Sequence, residues 1–265
     1  MAMKKLSAAL LAVMLAVPCT LPAVCLADTG IPAKEAAADE KDTSDKQSAE
    51  SESEGFKVTV QTYTKEYKTE DGTVYKELSF EYPKAEDGSE AAEAFNKFYK
   101  NLRTKWLRQA KENLEDAKEI VSQREDDTHY SDQVTCEITN NDKDYICVVQ
   151  HGYTYEMGAH GMPYRYSYIF DVKTGKKVSA ADMLGMTKAQ LNKKVRNLYL
   201  KKFDKTQKEE NFMFYPNREQ VEEALLEIDF NQNQYYLKNG KIRFYADPYA
   251  VGPYAGGFIE TAVKL

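Results

Sequence analysis

The sequence predicts an α+β fold with mainly antiparallel sheets, one long amphipathic helix and two shorter helices, arranged as two adjoining subdomains. Strand-like runs are segregated from helical stripes, without the alternating rhythm of a parallel α/β sheet. Turn signals such as Asp71-Gly72 and Asn239-Gly240 join successive strands as hairpins. The length of 265 residues leaves room for one large or two small domains. Hydrophobic residues make up 42% of the chain, enough for an ordinary core, and the mean hydropathy of −0.64 excludes a multi-span membrane protein.

The first element is an address. Met1 to Lys5 is positive and is followed by an apolar run from Leu6 to Val17, which together make the first two regions of a secretory signal. Cys25-Leu26-Ala27 places small residues where a signal peptidase reads them, so residues 1–27 are expected to be a signal peptide cleaved before Asp28. The alternative is a retained anchor, because Leu6 to Leu26 is just long enough to span a bilayer; cleavage would leave no stable membrane span. Residues 28–54 carry nine acids, three lysines and one large apolar residue, Ile31, and are predicted to be a disordered acidic linker. The net charge of −6 is concentrated in that linker, and the remaining 211 residues, with 33 acids and 31 bases, are almost neutral. This lacks the basic excess of a nucleic-acid binder.

Two strands, Phe56 to Tyr63 and Val74 to Tyr82, open the folded part. A long helix should follow, capped by Ser89, with Ala91, Phe95, Phe98, Leu102, Trp106, Ala110, Leu114, Ala117 and Val121 drawing one apolar stripe over about 30 residues. Gln133 to Thr139 and Tyr145 to Tyr153 read as a hairpin in which Val134 faces Val149, Cys136 faces Cys147 and Ile138 faces Tyr145. Met162 to Asp171 reads as another strand, with Tyr164, Tyr166, Tyr168 and Phe170 on one side. Capping boxes at Ser179 to Asp182 and Thr187 to Gln190 precede a helix from Lys188 to Phe203, and a third helix covers Arg218 to Glu227. The Asn239-Gly240 hairpin, a Gly/Tyr-rich loop from Asp247 to Gly257 and a strand from Phe258 to Val263 complete the chain.

Tyr153-Thr-Tyr-Glu-Met-Gly-Ala-His-Gly161 running into Tyr168-Ile-Phe-Asp-Val-Lys-Thr-Gly-Lys176, together with Tyr249-Ala-Val-Gly-Pro-Tyr-Ala-Gly-Gly257, resembles a known family pattern. The likeness is to the extracellular part of RsiV-type lysozyme-sensing anti-sigma factors and to the non-catalytic amino-terminal part of the peptidoglycan deacetylase PdaC. It spans residues 56 to 265, with Met157 where the first glycine of a "GGAH" turn would stand. The resemblance implies two α+β subdomains, residues 55–163 (PdaC-like) and 164–265 (RsiV-like), an extracytoplasmic location and a binding role. It brings no catalytic centre.

Nothing in the residues themselves points to catalysis or to a cofactor. The three histidines, His129, His151 and His160, are spaced by 22 and 9 residues and match no zinc-hydrolase pattern. No nucleophile elbow or phosphate loop is present. The candidate binding residues are His160, Tyr164, Tyr249 and Tyr254. His160 either makes a polar contact in a groove or satisfies its own turn; Tyr164, Tyr166 and Tyr168 are either core rungs or an exposed platform. Tyr249 and Tyr254 belong either to a recognition loop or to a structural joint. Cys136 and Cys147 are the cysteines left after cleavage and are expected to form a disulfide in an oxidising compartment. Two functions follow as expectations. One is a secreted, non-enzymatic recognition module for peptidoglycan or a lysozyme-like protein. The other is a wall-modifying enzyme, a peptidoglycan deacetylase or hydrolase, with an unrecognised site.

Overall fold

The computed structural model describes residues 55–124, 126–209 and 213–265; the expected signal peptide and acidic linker lie outside the described residues. A five-stranded sheet is built in sequence order from β1 (Val58–Lys68), β2 (Val74–Ala85), β3 (Tyr130–Asn141), β4 (Tyr145–Tyr155) and β5 (Met162–Asp171). All neighbours are antiparallel except β2 and β3, which run parallel because the chain crosses over through α1 (Glu90–Gln109) and α2 (Leu114–Ser122). After α3 (Ala180–Met183), α4 (Lys188–Lys208) and α5 (Arg218–Glu227), a second, antiparallel sheet forms from β6 (Tyr235–Lys238), β7 (Lys241–Ala246) and β8 (Ile259–Lys264).

The local signals hold where they are strongest. The Ser89 hydroxyl accepts the Ala92 amide at 3.1 Å and starts α1. Thr187 and Gln190 close a reciprocal capping box on α4, with bonds of 3.2 and 2.9 Å. Asn239 and Gly240 both take positive φ, 54° and 64°, as a tight hairpin turn requires.

The long helix, in contrast, is two. Its apolar stripe continues, but the chain turns at Ala110 to Asn113 through i to i−3 hydrogen bonds, Lys111 to Arg108 and Glu112 to Gln109. Neither glycine nor proline marks the break. Asn113 stands at the N-cap of α2 without capping it, because its side chain is turned to Lys76 and Glu156.

The expected β3–β4 register is also corrected. Cys136 lies opposite Gln150 and Cys147 opposite Asn140, with a bulge between Ile138 and Asn140. An odd slip in register moves a residue to the other face. Cys136 therefore packs beneath α1 with Ile146 and Val148, while Cys147 points the opposite way, among Val149, Ile169 and the second half of the chain. Both thiols are free and the disulfide is absent. Burial raises both, Cys136 to about 12 and Cys147 to about 11.

The sheet has two working faces. Under the helices, register aligns Phe80, Val134, Gly152 and Tyr164 across four strands, with the Trp106 ring tilted over Phe80 at 4.7 Å between centroids. The opposite face, with Cys147, Val149 and Ile169, is covered by residues of α4, α5 and the second sheet, including Leu191, Tyr199, Leu237 and Phe244. The expected seam at residue 164 falls within β5, which pairs with β4 up to Asp171.

Candidate functional site

Two glycine-containing loops meet through the side chains of His160, Tyr249 and Tyr254. The first, between β4 and β5, contains Met157 with φ of 65°, the left-handed region that glycine takes at least cost. At Gly161 the constraint is space: a Cβ there would lie 2.2 Å from the Tyr153 ring, whose hydroxyl accepts the Gly161 amide at 3.0 Å. The second loop follows β7. Its glycines fit against the chain at Met213, since a Cβ at Gly252 or Gly256 would come within 2.1 or 2.4 Å of the Met213 carbonyl oxygen. Val251 is buried on the same side, and its carbonyl accepts the Tyr215 amide at 3.1 Å. The inner side of this loop is a joint.

Its outer side carries the candidate residues. Tyr254 stacks on the His160 ring at 4.0 Å between centroids and donates its hydroxyl to the Gly161 carbonyl at 3.1 Å. His160 Nδ1 lies 3.0 Å from that same carbonyl, and Nε2 lies 3.2 Å from the Tyr249 hydroxyl. A carbonyl only accepts, so the neutral ring keeps its proton on Nδ1 and accepts from Tyr249 at Nε2. His160, Tyr249 and Tyr254 thus form one aromatic cluster spanning two loops 89 residues apart. Tyr249 is 46% exposed, with φ of 69°. Tyr153, at 39% exposure, packs its ring against Gly161.

Tyr164 stands elsewhere. It lies on the helix face of β5, its hydroxyl accepting the Trp106 indole N–H at 2.9 Å, and burial pushes its phenol well above the ordinary range. Tyr168 is likewise buried, under Phe98, whereas Tyr166 is exposed, its ring tilted against Tyr164 with centroids 5.4 Å apart. The tyrosine strand thus supplies core rungs at two positions and a surface ring at the third.

Sequence reasoning missed the residues that hold β5 to the second sheet. Arg165 pairs with Glu260 at 2.7 Å and lies over Phe258 (4.2 Å), Tyr245 (5.0 Å) and Tyr236 (5.7 Å). Ser167 donates to the Asn233 carbonyl at 3.1 Å, and Tyr245 donates to the Arg165 carbonyl at 3.1 Å. The only sequence signal was a polar residue between each pair of tyrosines in β5. Close by, Asp247 is pushed up by burial, opposed by a hydrogen bond from Gln234 and by the Arg165 charge.

Among the described residues, no group of three His, Cys, Asp or Glu side chains is placed to hold a metal ion. No helix among them is long and apolar enough to cross a membrane.

Comparison with known proteins agrees with this architecture. The fold is similar to that of a DUF3298 family member from Bacteroides fragilis, at 15% identity and a TM-score of 0.56, covering 80% of this chain and 92% of that one. It is also similar to a DUF3298 family protein from Pseudomonas aeruginosa, at 14% identity and a TM-score of 0.52, covering 79% and 90%. None of the curated proteins matches the chain. Residues 68–163 match the family model described as Deacetylase PdaC, and residues 183–265 match that described as Protein of unknown function (DUF3298). The chain therefore carries a PdaC-like domain followed by a DUF3298 domain, a tandem of the PdaC/RsiV-like type.

Proposed function

We propose that the protein is a secreted, non-enzymatic recognition module of the bacterial cell envelope, binding a cell-wall component or a wall-targeting protein such as lysozyme. The cell-envelope assignment rests on the PdaC-like and DUF3298 domains. The observation that carries the reading is the cluster of His160, Tyr249 and Tyr254, with Tyr153 beside it through Gly161. Its backbone is braced from behind by Met213 and Val251 while aromatic surface faces outward. Rigid aromatic side chains on a braced loop offer contact area at little entropic cost, and they are the residue types that dominate recognition surfaces. The enzymatic alternative is less well supported: the three histidines are dispersed, His129 beside Glu77, His151 beside Glu137 and His160 in the aromatic cluster.

The test is co-sedimentation of the mature chain with purified peptidoglycan, beside capture on immobilised lysozyme, each repeated with His160→Ala and Tyr249→Gly. Glycine at 249 relieves a left-handed backbone worth about 1 kcal/mol, so it removes the ring without weakening the fold. Lost binding at an unchanged melting temperature is the expected result. Unchanged binding by both variants would move the site elsewhere, and acetate or reducing sugar released from peptidoglycan by wild type but not by His160→Ala would establish the enzyme instead.

A further inference from the structure

β2 turns Lys76, Leu78 and Phe80 onto the helix face, so a lysine occupies a row otherwise apolar. It is 1% exposed, and its ammonium meets Asp132 Oδ2 at 2.7 Å. Asp132 is 7% exposed and also accepts the Thr154 hydroxyl at 2.7 Å. The third partner is Asn113: Lys76 Nζ lies 2.5 Å from its Oδ1, closer than the usual range of about 2.7 to 3.2 Å. Asn113 Nδ2 in turn donates to the exposed Glu156 carboxylate at 2.5 Å. An N-cap asparagine ordinarily bonds the first turn of its own helix, and this one presents its amide to a buried amine instead.

From this arrangement we infer that Lys76 and Asn113 join covalently, through an isopeptide bond formed with Asp132 as the catalytic residue. The Lys76 ammonium gives a proton to Asp132 Oδ2, 2.7 Å away, which frees the nitrogen lone pair. The nitrogen lone pair attacks Asn113 Cγ, the carbon one bond beyond the oxygen it already touches, and Asp132 returns the proton to the departing nitrogen. The Cγ–Nδ2 bond breaks as the Cγ–Nζ bond forms. Two of the three ammonium hydrogens leave with Nδ2 as ammonium, and Asp132 ends as the carboxylate it began as. Glu156, already bonded to Nδ2 on the solvent side, marks the exit. The reaction needs no oxidant and no cofactor. The product ties β2 to the α1–α2 junction, a link between residues 37 apart in a region whose two cysteines lie on opposite faces.

Mass spectrometry of the purified full chain decides the matter. The unfolded protein should be lighter than its sequence by one ammonia, about 17 Da. Because Asn239-Gly240 can lose the same mass by cyclising, the digest is the deciding measurement. Trypsin should yield a branched species joining residues 69–84, uncut at Lys76, to residues 112–118. Asn113→Ala should abolish it, and so should Asp132→Asn in protein whose Trp106 emission shows it folded. A wild-type digest with free Asn113 and cleavage at Lys76 would overturn the inference, as would a mass loss without the branched species. Full linkage in folded Asp132→Asn would overturn the role given to Asp132.

Discussion

Adding one methyl group at Gly152 should unsettle the core beneath α1. A Cβ there would lie 2.1 Å from two atoms of the Tyr164 ring. The ring cannot swing away cheaply, because it is buried and its hydroxyl holds the Trp106 indole at 2.9 Å. Overpacking costs about 1 to 3 kcal/mol, and loss of that hydrogen bond adds about 1 kcal/mol. Alanine returns about 0.5 to 1 kcal/mol by restricting the unfolded chain. The net destabilisation of Gly152→Ala is therefore about 1 to 3.5 kcal/mol, or a fall in Tm of roughly 2 to 14 °C for a domain of this size. Trp106 is the single tryptophan and reports on the site directly through its emission, which should shift as Tyr164 is displaced. In a Tyr164→Ala background the same substitution should be neutral or stabilising. Equal melting temperatures for wild type and Gly152→Ala, with unchanged emission, would refute the packing described for this row.

Further outcomes follow from the other contacts. Gly161→Ala meets the Tyr153 ring in the same way, but that ring is partly exposed and free to rotate outward; this variant should melt within a few degrees of wild type and lose binding at the loop junction. Arg165→Ala should cost about 2 to 3 kcal/mol in urea unfolding, because Glu260 loses the closer of its two cations while keeping Arg243 at 3.8 Å and the Tyr236 hydroxyl at 2.9 Å; a cost below about 1 kcal/mol would show the pair to be ornamental. Cys136 and Cys147 should resist alkylation in the folded protein and both react once it is unfolded without reductant, whereas a disulfide-linked peptide would contradict the register. The Lys238 ammonium, with His151 as a weaker partner, holds the Glu137 carboxyl below its usual value of 4.5. Its contribution is therefore complete above about pH 4.5 and fades as the pH falls through the lower folded value. Since the side chain is 44% exposed the effect is small, and the stability gap between wild type and Glu137→Gln should narrow in acid.

Features decided within a few residues were readable from the sequence. The Thr187 to Gln190 box, the Asn239-Gly240 turn and the bounds of β5 are set by local hydrogen bonding, backbone conformation and alternation. What eluded the sequence depends on partners far along the chain. The bulge at Thr139 slipped the hairpin register and separated the cysteines, and no turn residue announces it. The break in the long helix comes from Asn113 reaching to Lys76 and Glu156, where periodicity sees only a continuing apolar stripe. Of the four candidate binding residues, three meet at one junction because loops of both domains were singled out by composition. Tyr164 was grouped with them by proximity in sequence, yet strand alternation turns it under the helices.

The core that Cys147, Val149 and Ile169 share with Leu191, Tyr199, Leu237 and Phe244 has a consequence for how this tandem can be inherited and handled. The gap between the two matched segments is a boundary in sequence without being a boundary in free energy. A chain ending at Asp171 would leave the greasy reverse side of β4 and β5 open to water, and its missing partner would lose the sheet on which α4 and α5 rest. The two halves should melt in one cooperative step, and neither can be shuffled into a new protein without repainting the face that the other now covers.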